Sequence, residues 1–146
     1  MERILITGAL GQLGQEFIKF FNKNNTYVLA TDIRSPLKVL SCDFEIADAM
    51  DEKRIDYLIK KNNINVVYHL VAVLSANGEK NPFMAWEINM KSFQNIINLS
   101  INNGIKKIFW PSSIAVFGTK SNLSFVKQDS ILNPNTIYGI SKLAGE

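Results

Sequence analysis

Residues 4–14 read ILITGALGQLG, an apolar run that leads into three glycines spaced three apart. The apolar run at residues 4–7 has the composition of a buried strand. After the glycines, apolar side chains recur at helical spacing at Leu13, Phe17, Phe20 and Phe21. Strand, tight turn and helix in this order predict the first unit of a parallel α/β sheet.

The same alternation continues along the chain. Strand-like runs lie at residues 27–31, 66–71 and 107–110, with a weaker one at 37–42. Helical patterns lie at 51–61 and after Pro82, the second with an apolar face of Ala85, Ile88, Phe93, Ile96, Ile97 and Ile101. Asparagine pairs at 24–25 and 62–63 and Gly104 mark helix ends. We therefore predict an α/β doubly wound, Rossmann-type parallel sheet of five strands in the order 3-2-1-4-5, incomplete on its C-terminal side.

Composition narrows the class of protein. A chain of 146 residues that is 47% hydrophobic has the size of one domain and can bury a core. Its net charge of +3 comes from scattered lysines, so we do not expect a nucleic-acid partner. Cys42 is the only cysteine and His69 the only histidine, so we predict no disulfide, no metal site and a hydrogen-bonded core role for His69. Without a membrane-spanning pattern, we expect a soluble, cytoplasmic protein.

The glycine turn has the features of a phosphate-binding site. Gly8, Gly11 and Gly14 lie where the first strand turns into the first helix. Glycine there lets a pyrophosphate approach the backbone and leaves the helix amides to hold it. The alternative is a turn that only packs the helix on the strand, but the flanking strand and helix favour phosphate binding. We assign Gln12 and Leu13 to the same site.

Asp32 closes the second strand, where an acidic residue binds the adenosine ribose hydroxyls and repels a 2′-phosphate. This favours NAD over NADP as cofactor, with Ile33 and Arg34 in the same site, although Arg34 leaves some tolerance for NADP. The alternative is that Asp32 caps a turn. Asp48 either accepts a hydrogen bond from the adenine amino group or caps the next helix.

Tyr138 and Lys142 are four residues apart and share one face of a helix. A phenol with a pKa of ~10 is a poor base at neutral pH, but a lysine ammonium and the positive nicotinamide would stabilise its phenolate. The pair therefore suits removal of a proton from an alcohol. Ser113, just after the fifth strand, would hydrogen-bond the same hydroxyl. The alternatives are an interface tyrosine with a solvated lysine, and a serine that caps a turn.

Longer stretches carry a family resemblance: ATDIR at 30–34, LSANGEKNP at 74–82, FWPSSIAVFG at 109–118 and YGISKLAGE at 138–146. On these stretches the chain resembles the extended short-chain dehydrogenase/reductase family, and more closely its L-threonine 3-dehydrogenase branch. The glycine, tyrosine and lysine motifs indicate the superfamily, whereas SxxGEKNP and FWPSSIAVFG indicate the branch. The match corresponds to the N-terminal half of a typical member.

The resemblance implies NAD-dependent oxidation of L-threonine at its 3-hydroxyl to 2-amino-3-oxobutanoate. Tyr138 would be the base, Lys142 the ribose anchor that stabilises the phenolate, and Ser113 the group that polarises the developing carbonyl. The resemblance also places Leu70 and Ala72 at the cofactor and gives Asn89 a supporting role. It implies substrate contacts from Ser75, Ser113 and Tyr138.

Two other functions use the same residues. A nucleotide-sugar epimerase or dehydratase shares the serine, tyrosine and lysine, and a non-catalytic NAD-binding remnant would keep the glycine turn and Asp32. In the family, later strands complete the sheet and a small lobe closes over the substrate. We therefore expect residues 1–146 to form a truncated NAD-binding Rossmann domain without its substrate lobe. We expect it to be a poor catalyst alone and a homodimer in a complete form.

Overall fold

The computed structural model describes residues 1–119 and 125–146. Its elements are β1 (Arg3–Thr7), α1 (Gln12–Lys23), β2 (Tyr27–Asp32), β3 (Asp43–Ile46), α2 (Glu52–Lys61), β4 (Val66–His69), α3 (Ser75–Gly78), α4 (Pro82–Trp86), α5 (Ser92–Asn103), β5 (Lys107–Phe109) and α6 (Ile137–Gly145). A π-helical turn (Glu87–Lys91) precedes α5, and a 3₁₀ turn (Ile114–Val116) follows β5. The described residues divide into a first unit (Met1–Val71 with Gln94–Trp110) and a second unit (Ala72–Phe93 with Pro111–Glu146).

The first unit contains a parallel sheet whose described strands have the order β3-β2-β1-β4-β5. Central β1 pairs with β2 as far as Thr7 opposite Thr31, and with β4 as far as Thr7 opposite His69. The carboxyl ends of these three strands are therefore level, and the turn after β1 leaves the sheet at this edge. The predicted fold class and strand order are confirmed.

Both faces of the sheet are covered by apolar side chains. In β1, Leu5 contributes to a cluster with α2 and α5, while Ile4 and Ile6 contribute to a second cluster with α1. Successive side chains of a strand point to opposite faces, so β1 is buried on both sides, as a central parallel strand requires. The helices add Ile55, Leu58, Ile96 and Leu99 to the first cluster, and Ile18 and Phe21 to the second.

The helices of the first unit end at the residues that the sequence indicated. Asn24 and Asn62 are the C-terminal caps of α1 and α2, and the residues after them have positive φ angles. Gly104, with φ of +64°, follows α5. Asparagine and glycine tolerate this left-handed conformation better than other residues, so each helix ends where the backbone reverses.

The predicted position of the third strand is wrong. We expected it at residues 37–42, but it lies at Asp43–Ile46, and the side chains of Leu37 and Val39 are fully exposed. Because β3 is at the edge of the sheet, it needs apolar side chains on only one face, and Phe44 packs against the α1 cluster. In β3, polar residues alternate with apolar ones. A pattern of continuous apolar residues therefore did not indicate a strand here.

The helix expected after Pro82 also differs from its prediction. Residues 82–103 form α4, the π-helical turn and α5, and Ile101 is 74% exposed, whereas Asn95 and Ser100 are buried. A π-helical turn inserts a residue, which shifts the later side chains by about 100° around the axis. The apolar face predicted for a regular helix is therefore wrong at Ile101. In addition, residues 75–78, expected in a loop, form the short helix α3.

Helices able to cross a membrane are absent from the part of the chain that the structure describes. Within the same residues, no three side chains of His, Cys, Asp or Glu come together in a way that would hold a metal ion. His69 is completely buried, and its Nδ1 lies 2.7 Å from the Thr7 hydroxyl. The predicted role of His69 as a hydrogen-bonded core residue is confirmed.

Replacing Ile96 by alanine should lower the free energy of unfolding by about 2–5 kcal/mol, because it leaves a cavity in the cluster beneath α5. The matched control is Ile101→Ala, the same change on the exposed side of the same helix, which should cost less than about 0.5 kcal/mol. Urea unfolding followed by circular dichroism measures both. Equal losses would contradict the orientation of α5.

Candidate functional site

The glycine turn after β1 approaches the neighbouring backbone closely. Gly8 has φ of +69°, and a Cβ there would lie 3.0 Å from the carbonyl carbon of Leu70. A Cβ on Gly14 would lie only 2.4 Å from the Ala9 carbonyl oxygen. Both glycines are therefore required by packing: the first lets the turn pass the end of β4, and the second lets α1 lie against the turn.

The N-terminus of α1 suits a phosphate group. Gly11 is its N-cap and offers no side chain, and the first turn, all of whose residues the structure describes, contains no acidic residue. In contrast, α2 has the Asp51 carboxylate as its cap and Glu52 in its first turn. The first amides of a helix lack partners within it and carry the positive end of its dipole. The residues of this turn thus fit a pyrophosphate, and Gln12 and Leu13 are exposed beside it.

Asp32 connects this turn to the loop that follows β2. Its side chain is only 6% exposed. Its Oδ2 accepts a hydrogen bond from the Leu10 amide at 3.1 Å, and its Oδ1 accepts from the backbone amide and Nε of Arg34 at 3.2 and 3.3 Å. Asp32 therefore caps a turn, as the alternative to ribose binding predicts. Its position at the end of β2 is also that of a ribose-binding carboxylate.

The other predicted cofactor residues of the first unit differ in their surroundings. Ile33 is exposed, whereas Leu70 is half-buried and donates its amide hydrogen to the Thr7 carbonyl. Asp48 is exposed and accepts a hydrogen bond from the Met50 amide at 2.9 Å. Asp48 does not cap α2, because that role belongs to Asp51. Its proposed contact with adenine stays a prediction.

In the second unit, two side chains hold the N-terminus of α6. The Thr136 hydroxyl accepts a hydrogen bond from the Gly139 amide at 3.1 Å, and the Glu79 carboxylate accepts one from the Ile137 amide at 2.7 Å. Glu79 lies far away in sequence, in the GEKNP stretch just after α3. The carboxylate therefore ties this segment to the first turn of α6, next to Tyr138. This role of Glu79 was not predicted from the sequence.

A third contact brings α6 against the segment that follows β5. A Cβ on Gly139 would lie 2.5 Å from the Ala115 carbonyl oxygen, so only glycine permits this approach. Ala115 belongs to the 3₁₀ turn that Ser113 begins, and the Ser113 Oγ accepts a hydrogen bond from the Ala115 amide at 3.3 Å. Ser113 thus caps a turn that packs on the helix of Tyr138 and Lys142.

Tyr138 and Lys142 share a face of α6, as predicted. The Lys142 Nζ lies 5.7 Å from the centroid of the Tyr138 ring. Tyr138 is half-buried, and Lys142 is only 3% exposed. Burial lowers the pKa of Lys142 to about 8. A lysine with this pKa is largely an ammonium at neutral pH, and it is a stronger proton donor than an exposed lysine.

Asn89 joins two segments of the second unit. It is buried in the π-helical turn, where its side chain accepts from the Val73 amide at 2.7 Å and donates to the Val73 carbonyl at 3.1 Å. Its amide also donates to the Ser141 hydroxyl at 3.2 Å, and Ser141 donates to the Tyr138 carbonyl at 2.8 Å. Asn89 therefore links α6 to the segment containing Ala72. Ser141 is a further positioning residue, and no motif in the sequence indicated its role.

The two remaining predicted residues, Ala72 and Ser75, also lie in the second unit. Both are half-buried. Ser75 is the first residue of α3, and its carbonyl accepts a hydrogen bond from the Glu79 amide. The short helix thus connects the proposed substrate serine to the carboxylate that holds α6. The assigned contacts of Ala72 with cofactor and of Ser75 with substrate stay predictions.

A family model and the curated relatives of this chain agree on its family. A family model described as the NAD dependent epimerase/dehydratase family matches residues 4–146. The chain is 38% identical to an uncharacterized epimerase/dehydratase of Staphylococcus saprophyticus and 39% identical to one of Staphylococcus aureus. Each alignment covers 100% of this chain and 47% of the relative. The chain therefore spans about half the length of the curated relatives it matches.

Solved structures of L-threonine dehydrogenases are similar to this chain. A partial consensus L-threonine 3-dehydrogenase superimposes with a TM-score of 0.93 at 39% identity, covering 98% of this chain and 47% of the other. The holo form of the enzyme from Cupriavidus necator gives 0.92 at 36% identity, with 98% and 48% covered. The enzyme from Clostridium difficile gives 0.89 at 36% identity, with 99% and 47% covered.

Replacing Lys142 by methionine should stabilise the chain at pH 7 by up to about 3 kcal/mol, because the folded state no longer buries an ammonium group. Burial lowers the pKa of Lys142 to about 8 in the folded chain, from the ordinary lysine value of 10.5 that it regains on unfolding. Between these values the unfolded state binds the extra proton, so wild-type stability rises with pH and the gap to the variant should narrow. Thermal unfolding at pH 7 to 10 measures this. The control, Lys80→Met at an exposed site, should show a gap that does not change with pH.

Replacing Glu79 by alanine should lower the free energy of unfolding by about 0.5–2 kcal/mol, since the Ile137 amide loses its carboxylate partner. Hydrogen exchange should be faster at the amides of the first turn of α6. Glu87→Ala is the control, because this exposed carboxylate pairs with Lys91 at 3.8 Å, on the surface of the second unit. An unchanged exchange rate in α6 would show that Glu79 does not hold the helix.

Proposed function

Because the chain belongs to the NAD dependent epimerase/dehydratase family, we propose that it contributes the NAD-binding and proton-transfer residues of an L-threonine 3-dehydrogenase. The reaction is oxidation of the 3-hydroxyl to 2-amino-3-oxobutanoate. The observation that carries this proposal is the Tyr138–Lys142 pair, with the buried Lys142 Nζ 5.7 Å from the phenol ring centroid. The choice of substrate is supported by the similarity to L-threonine dehydrogenases at 36–39% identity.

NAD is the cofactor of this family, in agreement with the cofactor predicted from the sequence. The amides at the start of α1, with Gly8, Gly11, Gly14, Gln12 and Leu13, would hold the pyrophosphate, and Asp32 would bind the adenosine ribose. When bound, NAD accepts the hydride that the alcohol carbon gives up. Lys142 would hold the nicotinamide ribose. Asn89 would position α6 through its hydrogen bond to the Ser141 hydroxyl.

Three side chains of the second unit would carry the proton transfer. The Tyr138 oxygen removes the proton from the substrate 3-hydroxyl as the C–H electron pair leaves and the C=O bond forms. The Lys142 ammonium stabilises the phenolate that this step requires. The Ser113 Oγ already accepts the Ala115 amide hydrogen, so its own proton is available to donate to the substrate oxygen. This hydrogen bond strengthens as negative charge develops on that oxygen.

Residues 1–146 form the NAD-binding Rossmann part, and the second half of the relatives supplies the lobe that closes over the substrate. The complete form would be a homodimer, would act on a small molecule and would work in the cytoplasm. Ser75 contributes to the binding of the amino-acid substrate from the start of α3.

The test is NADH absorbance with L-threonine, on the purified chain and on a fusion of this chain to the second half of the Cupriavidus necator enzyme. Tyr138→Phe in the fusion should lower kcat by about 10²-fold or more, because the base is lost from the transition state. The affinity for NAD, measured by calorimetry, should stay within about twofold. Tyr57→Phe, at an exposed tyrosine of α2, is the control and should retain full activity.

Three outcomes separate the alternatives. Wild-type turnover by Tyr138→Phe would refute the assigned base. Turnover of UDP-galactose without threonine activity would favour a nucleotide-sugar epimerase. NAD binding by the fusion with neither activity would favour a non-catalytic remnant.

A further inference from the structure

The segment between β3 and α2 presents Asp48 at the carboxyl edge of the sheet. The Ala47 amide donates to the Asp32 carbonyl at 3.0 Å, directly after the last residue pair of the β2–β3 ladder. Ala47 and Ala49 are buried, whereas Asp48 between them is exposed. Nucleotides bind at this edge of an open parallel sheet, so the Asp48 carboxylate is accessible to a ligand there.

Asn95 reaches this segment from α5. Its side chain is only 8% exposed, and its neighbour Ile96 belongs to the apolar cluster beneath the helix. The Asn95 Nδ2 donates to the carbonyl oxygens of Ala49 and Met50, at 3.4 Å each. A buried amide costs free energy unless it is hydrogen-bonded, and both of these partners lie in the two residues that follow Asp48.

One peptide group connects Asn95 to Asp48. The Ala49 carbonyl, which accepts from Asn95, belongs to the same planar unit as the Met50 amide, and that amide donates to the Asp48 Oδ1 at 2.9 Å. Asn95 therefore holds the carbonyl end of a rigid group whose amide end holds the carboxylate. A carboxylate has about four acceptor positions, so Asp48 keeps others for a ligand.

We propose that Asn95 is a positioning residue for recognition of the adenine base. It acts through the peptide group between Ala49 and Met50, which fixes the Asp48 carboxylate in the orientation that accepts a hydrogen bond from the adenine amino group. The inference rests on the proposed function, because it requires NAD to bind at this edge of the sheet, and on the predicted contact of Asp48 with adenine.

The test compares two dinucleotides by calorimetry on the purified chain: NAD, and nicotinamide hypoxanthine dinucleotide, in which a carbonyl oxygen replaces the adenine amino group. A carboxylate accepts from the amino group and repels the carbonyl oxygen, so the wild-type chain should prefer NAD by about tenfold or more. Asn95→Leu, which keeps the approximate size of the side chain but removes its donors, should lower this preference to about threefold or less. The matched control is Asn98→Leu, the same change at an exposed position of α5, which should leave the preference unchanged.

A double-mutant cycle tests whether Asn95 acts through Asp48. Asp48→Ala should abolish the preference for NAD, because the acceptor is lost. Asn95→Leu added to Asp48→Ala should then change the preference no further, since the effects of coupled residues are not additive. Asn95→Ser, a smaller change that also removes the amide, takes the place of Asn95→Leu if the leucine variant does not fold.

A purely structural role of Asn95 gives a different result. If the wild-type chain prefers NAD and Asn95→Leu keeps that preference, even with a lower free energy of unfolding in urea, the inference is refuted. The same follows if Asn98→Leu lowers the preference equally, or if Asn95→Leu still changes it when the Asp48 carboxylate is absent.

Two further outcomes separate this inference from the proposed function. If the wild-type chain binds both dinucleotides equally, the adenine contact of Asp48 is refuted and the inference fails with it, while the nucleotide site stands. If the wild-type chain binds neither dinucleotide, the nucleotide site itself is refuted.

Discussion

The close approach of the β1–α1 turn to the ends of β2 and β4 determines the rest of the first unit. The Ala9 amide donates to the Thr31 carbonyl, the Leu10 amide to Asp32, and the Leu70 amide to the Thr7 carbonyl. These bonds require the glycine at position 8, where a Cβ would meet the backbone of Leu70. The same requirement brings the first amides of α1 to the edge of the sheet, where a phosphate can reach them.

In the second unit, α6 is held by contacts of three kinds. Glu79 binds its first amide, the Asn89–Ser141 pair binds its middle, and Gly139 allows it to lie against the Ala115 carbonyl. Each contact comes from a different segment of the chain. The orientation of Tyr138 and Lys142 therefore depends on polar and steric contacts more than on a large apolar face.

The strand order was predictable because buried strands and helices alternate, and such runs are visible in a single sequence. The third strand and the face of α5 were not, because an edge strand needs little apolar surface and a π-helical turn changes the helical period. In the candidate site, Tyr138, Lys142 and Ser113 followed from spacing and from the strand before them. Asn89 came only from the family resemblance. Glu79 and Ser141 were missed because their partners are distant in sequence.

The Asp32 carboxylate is already well supplied with hydrogen bonds. It accepts from the Leu10 amide and twice from Arg34, whereas a carboxylate has about four acceptor positions. If the adenosine ribose binds here as proposed, its diol would need two of them, so one protein contact would have to give way, and the exposed Arg34 side chain is the contact most easily released. Binding would then be an exchange of hydrogen-bond partners on a preorganised carboxylate. Such an exchange would cost little conformational entropy, and it would release the Arg34 guanidinium when the ligand binds.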